Sequence, residues 1–200
     1  MSFLLTEPLP DTVEVGALKL PIDTDFRTWI KLEALLLEEE LSQGDKMILA
    51  LELIYPNPVP PFFIAEALEK VFWFYTCGKE AKESEGAEDT EEGEAAFSYE
   101  ADAPYLYAAF LEQYGIDLID TPLHWWKFQA LMKGLNPNSL FVKIMGYRKI
   151  KLTADMPAEK REFYSKMKKL YALPATKEES KRQNLIEEAL LNGGDLSGIL

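Results

Sequence analysis

The sequence has a single cysteine and a single histidine among its 200 residues. One cysteine excludes an internal disulfide framework, and no second histidine or cysteine pair is present to build a zinc site. Glycine-rich phosphate loops are missing too, because neither GxGxxG nor GxxxxGK[ST] occurs. The chain therefore carries no sequence signal for a metal, a nucleotide or another cofactor, and a reduced intracellular setting is expected.

A long apolar run is also lacking. The longest charge-free stretch, residues 53–65, contains four prolines and is too short to span a bilayer. The N-terminal segment has no basic region, and Glu7, Pro8 and Pro10 interrupt its short apolar run, so a signal peptide is not expected. We predict no membrane association.

Apolar and aromatic residues, by contrast, are abundant. Hydrophobic residues make up 48% of the chain and aromatic residues 12%. A chain of this length buries roughly 70% of the surface that its unfolded form exposes, which requires a core of this richness. The sequence therefore predicts a folded globular protein.

Charge is strongly negative but unevenly placed. The net charge is −13, and residues 1–77 carry −8, residues 78–96 carry −6 and residues 148–170 carry +5. An acidic surface repels phosphate backbones, so a nucleic-acid partner is not expected.

The hydrophobic pattern predicts a mainly α fold, a compact multi-helix domain with a short N-terminal β-hairpin. Alternation over Thr12–Leu20 indicates the hairpin. Thr24 and Thr121 are predicted N-caps, the second followed by Pro122 at the favoured first position. Helical periodicity predicts helices at 24–43, 46–55, 62–77, 98–115, 122–133, 137–145 and 157–171.

Residues 78–96 contain eight acidic residues and no large apolar side chain. Such a segment cannot offset its ordering entropy by burial, so we predict a disordered loop, with an acidic patch for a basic partner as the alternative. The chain is otherwise predicted to form one helical domain over residues 1–174. Residues 175–200 are predicted to form a last helix and a mobile tail.

His124 is the natural candidate for chemistry, because its charge changes near neutral pH. No activated nucleophile or second ligand accompanies it, and alternating rings on one helix are typical of a core. We therefore interpret it as a packing residue, with partner recognition and catalysis as weaker alternatives. Trp125 and Trp126 point about 100° apart on a helix, so they either fill the core or contact a partner.

The basic residues between 148 and 170 include Arg161, Lys168 and Lys169, which fall near one face of the helix predicted there. A solvated face is the simpler interpretation. The alternative is that this face contacts acidic surface on a partner or on a neighbouring copy, where the N-terminal third offers complementary charge for head-to-tail association.

A further signal comes from the run ADAPYLYAAFLEQYGIDLIDTPLHWWKFQALMKGL, followed by FVKIMGYRKIKL and KMKKLYALP. These segments, with PIDTDFRTWIKLE and VFWFYTCGKE upstream, resemble the bacteriophage gene-product-fifteen family over residues 12–174. That family comprises small proteins of tailed phages and prophages in Gram-positive bacteria.

The resemblance implies no enzymatic activity, no catalytic residue and no small-molecule substrate. It implies a tail-assembly chaperone of the host cytoplasm, which binds the tape-measure or tail-tube protein. The alternative is a structural tail component that stays in the virion. Self-association is a further expectation, and Trp125, Trp126, Arg161, Lys168 and Lys169 are the candidate partner contacts.

Overall fold

The computed structural model describes residues 5–79 and 95–174. Within them lie a two-stranded sheet and seven α-helices, so the prediction of a mainly α fold with an N-terminal hairpin is confirmed. The elements are β1 (Thr12–Val15), β2 (Leu18–Pro21), α1 (Phe26–Leu37), α2 (Gln43–Ile54), α3 (Ile64–Tyr75), α4 (Ala103–Tyr114), α5 (Trp125–Lys133), α6 (Leu140–Lys149) and α7 (Ala158–Leu170). The predicted acidic loop, apart from its ends, and the predicted C-terminal helix and tail lie outside the described residues.

The hairpin is antiparallel and presents one face to the core. Val13 and Val15 are buried and the intervening Glu14 is exposed, as the two-residue period of a strand requires. Gly16 forms the turn with a φ of +57°, and a Cβ there would lie 2.5 Å from the Phe63 ring. Its N–H donates to the Glu66 carboxylate at 2.9 Å. A residue without a side chain is therefore required where the hairpin meets the start of α3.

Helix α1 begins one residue later than the sequence predicts. The N-cap is Asp25, whose carboxylate accepts a hydrogen bond from the Arg27 N–H at 2.9 Å. Thr24 was the wrong choice because its carbonyl accepts from the Trp125 N–H at 2.7 Å. The backbone of Thr24 is thus engaged with the segment before α5 rather than with its own helix.

Helix α5 begins at Trp125, so the prediction of Thr121 as N-cap and Pro122 as first residue is wrong. The Leu123 carbonyl accepts from the Phe26 N–H at 2.9 Å, which holds this stretch extended beside the start of α1. The chain becomes helical only after this backbone pairing ends. His124 caps the helix instead.

The chain divides into two compact units. Unit 1 comprises the described parts of residues 1–93 and 105–142, and unit 2 those of residues 94–104 and 143–200. The prediction of a single domain over residues 1–174 stays a prediction.

The core of unit 1 is an aromatic cluster contributed by α1, α3, α4 and α5. Trp29 stacks on Phe74 at 4.7 Å between ring centroids, and Phe128 stacks on Phe26 at 4.6 Å and on Phe110 at 5.3 Å. All five rings are buried. Stacked pairs at these distances contribute about 0.5–1.5 kcal/mol each beyond their buried area.

Unit 2 contains a buried ion pair. Two nitrogens of the Arg148 guanidinium donate to the Asp102 carboxylate at 2.5 and 2.8 Å. Further hydrogen bonds from Arg148 reach the carbonyls of Ala96 and Tyr171. Burial raises the pKa of Asp102, but hydrogen bonds from Arg148 and the Ser98 N–H and the Arg148 charge outweigh it and lower that pKa. The pair ties the segment before α4 to α6 and to the end of α7.

Candidate protein-binding groove

Helix α2 has an inner side that packs within unit 1. Ala50 and Ile54 are buried there, at the four-residue spacing of one helix face. Lys46 lies on the same side, and its ammonium donates to the Leu36 carbonyl at the end of α1, at 2.7 Å. Lys46, the one cation of α2, therefore makes its hydrogen bond within unit 1.

The outer side of α2 is also apolar, although it faces solvent. Met47, Ile48 and Leu49 are all exposed, Ile48 by 58%. A helix whose polar face is replaced by large apolar side chains normally packs on both sides. Full burial of a wholly exposed side chain of this kind is worth about 1.5–3 kcal/mol, so covering one that is half exposed stabilises an assembly by roughly half of that. This side of α2 is thus suited to binding another protein surface.

Ile48, with Leu51 and Glu52 of the same helix, forms one wall of a groove of about 390 Å³, whereas Met47 and Leu49 lie outside its lining. The other wall is the proline-rich segment before α3, from Pro56 to Val59, together with Ile64. Phe62 is 99% exposed but lies outside the groove lining. The groove is lined by Ile48, Leu51, Glu52, Tyr55, Pro56, Asn57, Pro58, Val59 and Ile64.

Few polar groups converge in the groove. The Tyr55 hydroxyl donates to the Ala67 carbonyl at 2.9 Å, and burial raises the pKa of Tyr55 to about 12. Glu52 supplies the only charge in the lining. Sites for small polar ligands usually direct several polar groups toward one point, whereas this groove offers apolar surface beside one carboxylate. Its chemistry fits a peptide or helix with apolar anchors.

The surroundings of the groove are acidic. Residues 32–69, which contain α2 and the groove, have eight acidic side chains and one basic one, Lys46. Lys46 is buried and bonded to Leu36, so it presents no exposed cation, and with its charge counted these residues still carry a net −7. A partner that carries lysine or arginine beside its apolar residues is favoured electrostatically.

His124 is a helix cap within the described structure. Its Nδ1 accepts from the Trp126 N–H at 3.0 Å, and its Nε2 lies 3.0 Å from the Pro10 carbonyl. Its ring also packs 5.4 Å from the Phe74 ring. Burial lowers the pKa of His124, as does the charge of Lys127, against the opposing effect of the Pro10 hydrogen bond. Both ring nitrogens are engaged with the backbone, which agrees with the packing interpretation.

Trp125 and Trp126 are both buried in unit 1. Their indole N–H groups donate to the carbonyls of Tyr75 at 2.9 Å and Phe74 at 2.8 Å. The burial agrees with a core role for both, because neither presents indole surface in the isolated chain. Partner contact through either tryptophan stays a prediction.

The predicted basic contacts lie on α7, in unit 2. Arg161 and Lys169 are exposed, whereas the Lys168 ammonium donates to the carbonyls of Arg148 at 2.7 Å and Ile150 at 3.4 Å. Lys168 thereby satisfies carbonyls at the end of α6, where a cation is also favoured by the helix dipole. Contact between these three residues and a partner stays a prediction.

The Cys77 thiol lies partly buried just after the end of α3. Burial raises the pKa of the Cys77 thiol, against the opposing charges of Lys133 and Lys79, whereas a reactive cysteine needs a lowered pKa. Within residues 5–79 and 95–174, no group of three or more His, Cys, Asp or Glu side chains is placed to hold a metal ion. Nor does any helix in those ranges combine the length and apolar character needed to cross a bilayer.

Comparison with known protein families gives one match. The family described as "Bacteriophage Gp15 protein" matches residues 5–173, which is most of the chain. This chain belongs to the bacteriophage Gp15 protein family. Neither the curated proteins nor the solved structures yield a match. For this Gp15 family member, then, the groove has to be interpreted from its own chemistry.

The groove is the part of the candidate site that sequence reasoning missed. The segment KMILALELIY predicts a short helix, and no binding surface was predicted on it. A usable signal was present, since this nearly all-apolar helix is followed directly by the proline-rich PNPVPP segment, which cannot extend it. Only the packing shows that one side of the helix stays uncovered.

Proposed function

We propose that this protein is a phage tail-assembly chaperone, which holds an apolar and basic segment of the tape-measure or tail-tube protein in the α2 groove. The observation that carries the proposal is the exposed apolar side of α2 beside the proline-rich wall, set in an acidic part of the chain. Membership of the Gp15 family supports a role in phage biology.

The physical basis is the helix-in-groove mode of recognition. An amphipathic helix inserts its apolar side chains into a groove, while charges at the edges select the partner. A tape-measure protein, as a long helical protein, exposes such helices before tail-tube subunits surround it. Covering them would keep it soluble during assembly.

In this proposal the protein acts in the cytoplasm of the bacterial host and binds proteins only. It needs no enzymatic activity, cofactor, nucleic acid, membrane or small-molecule substrate. The groove, with its one carboxylate, is consistent with such a role.

The test is co-expression with the tape-measure protein, or fragments of it, encoded by the same phage. The expected result is a larger soluble fraction of the tape-measure protein with the wild-type chain than with Ile48→Asp, which places a charge in the groove. Leu111→Asp is the matched control, because Leu111 is also a helical, 44% exposed apolar residue of unit 1 but is not part of the groove lining. Equal precipitation with and without the wild-type chain would refute the proposal.

Purified virions separate the chaperone from the structural alternative. A chaperone is absent from finished particles, whereas a structural tail component is present in a fixed ratio to the tail-tube protein. Quantitative mass spectrometry of the particles measures this ratio.

A further inference from the structure

Helix α7 presents an exposed apolar strip of its own. Phe163 is 48% exposed and Leu170 is 64% exposed. Residues seven apart on a helix return to within about 20° of the same direction, so these two side chains share one side. The Phe163 ring keeps an edge-on contact with Tyr147 at 6.1 Å, which fixes part of the strip without covering it.

Lysines flank this strip, and the helix is anchored on another side. Lys160 and Lys166 are exposed and lie three residues before and after Phe163, on the same side of the helix. Lys168 lies elsewhere around the helix, where it bonds to the end of α6. Glu159, four residues before Phe163, is also exposed on this side. The outward side of α7 therefore combines apolar anchors with two lysines and one carboxylate.

We propose that the α2 groove of one copy binds the outward side of α7 of a second copy, so that this protein associates head to tail. Apolar side chains meet apolar side chains in this contact, and opposite charges flank them. Residues 32–69 carry eight acidic and one basic side chain, whereas residues 148–170 carry eight basic and three acidic ones. Lys160 and Lys166 are the cations assigned to the contact, and Glu52 is the groove carboxylate they approach.

This inference goes beyond the proposed function and does not depend on it. The groove and the α7 strip are different surfaces, so the contact that they form is heterologous. Such a heterologous contact continues until a ring closes or a filament grows. A tail protein that enters the groove would compete with the neighbouring copy and disassemble the self-associated form.

The experiment uses two variants that each disable one surface. Ile48→Asp places a charge in the groove, and Leu170→Asp places a charge in the α7 strip. Leu111→Asp serves as the control substitution. Sedimentation velocity over a range of protein concentrations measures the mass of each variant alone and of their equimolar mixture. The full-length chain is used throughout, without any tail protein, so failure here is distinguishable from failure of the chaperone proposal.

The expected results are specific to head-to-tail contact. The wild type and Leu111→Asp form oligomers larger than dimers, each groove or strip variant alone is monomeric, and the mixture forms a dimer and nothing larger. That dimer uses the intact α7 of the Ile48→Asp chain and the intact groove of the Leu170→Asp chain. Because the edges are charged, raising the salt from 50 to 500 mM should weaken association by about tenfold.

Three results would overturn the inference. They are a wild type that stays monomeric at every concentration, an Ile48→Asp variant that assembles like the wild type, and a mixture of variants that stays monomeric although both remain folded by circular dichroism. If Leu170→Asp unfolds unit 2, the charge-reversed double variant Lys160→Glu/Lys166→Glu replaces it. The inference is then supported if this double variant is monomeric alone and forms a dimer when it is mixed with Ile48→Asp.

Discussion

Unit 1 contains two groups of apolar side chains, one buried in the core and one exposed to solvent. The aromatic cluster around Trp29, Phe74 and Trp125 is closed to solvent, and its indole N–H groups donate to backbone carbonyls. The outer side of α2 is equally apolar, yet Met47 and Ile48 remain exposed. Residues of the first kind are explained by stability alone. Those of the second kind do little for the isolated chain, which is the physical reason to assign them to binding.

The largest effect is expected inside the aromatic cluster. Trp125→Ala removes a buried ring that packs on Trp29, Tyr75 and Phe128, and leaves the Tyr75 carbonyl without its donor. We expect a loss of about 3–5 kcal/mol in the free energy of unfolding, measured by urea denaturation. Ile48→Ala is the comparison and should lose less than about 0.5 kcal/mol. Equal losses would erase the distinction between the two regions.

A second prediction compares the two sides of α2 itself. Lys46→Ala removes the buried ammonium that satisfies the Leu36 carbonyl at the end of α1. Loss of this hydrogen bond and of the packed stem should lower the free energy of unfolding by about 1–3 kcal/mol. Urea denaturation beside Ile48→Ala gives the difference directly. A cost for Lys46→Ala no larger than that of Ile48→Ala would show that the inner side is as dispensable as the outer one.

The third prediction concerns pH and the His124 cap. Because folding lowers the pKa of His124, the unfolded chain binds this proton more readily. Stability from the neutral cap is therefore complete above the ordinary pKa of about 6.5 and is lost as the pH falls below it. We expect the free energy of unfolding to fall by about 1 kcal/mol between pH 7 and pH 5, which is the contribution of a typical N-cap.

His124→Asn is the control for the pH effect, because asparagine keeps a side-chain acceptor for the Trp126 N–H but does not titrate. The difference between the two proteins removes the contribution of other groups, including Glu33, whose pKa burial raises against the Tyr75 hydrogen bond. Parallel stability curves for both proteins would contradict the role of His124 as a neutral cap.

The type of most elements was predictable from residue periodicity, but their starting points were not. Thr121 and Pro122 form a sound local start signal, yet the backbone pairing of Leu123 with Phe26 keeps that stretch extended. Local chemistry cannot report a hydrogen bond to a residue almost a hundred positions away. The same limit applies to the groove, since periodicity shows that α2 is apolar on both sides and only tertiary contacts show which side is covered.

The smallest stability effect should accompany the largest effect on binding. Ile48→Asp replaces an exposed side chain with a well-hydrated one, so the free energy of unfolding should change by less than about 0.5 kcal/mol. The same substitution places a carboxylate in the groove beside Glu52, where apolar anchors would have to be buried against two acidic groups. Urea denaturation and sedimentation velocity on one preparation measure both quantities. If Ile48→Asp destabilised the fold as much as Trp125→Ala does, the outer side of α2 would be a structural surface, and its exposure would no longer indicate binding.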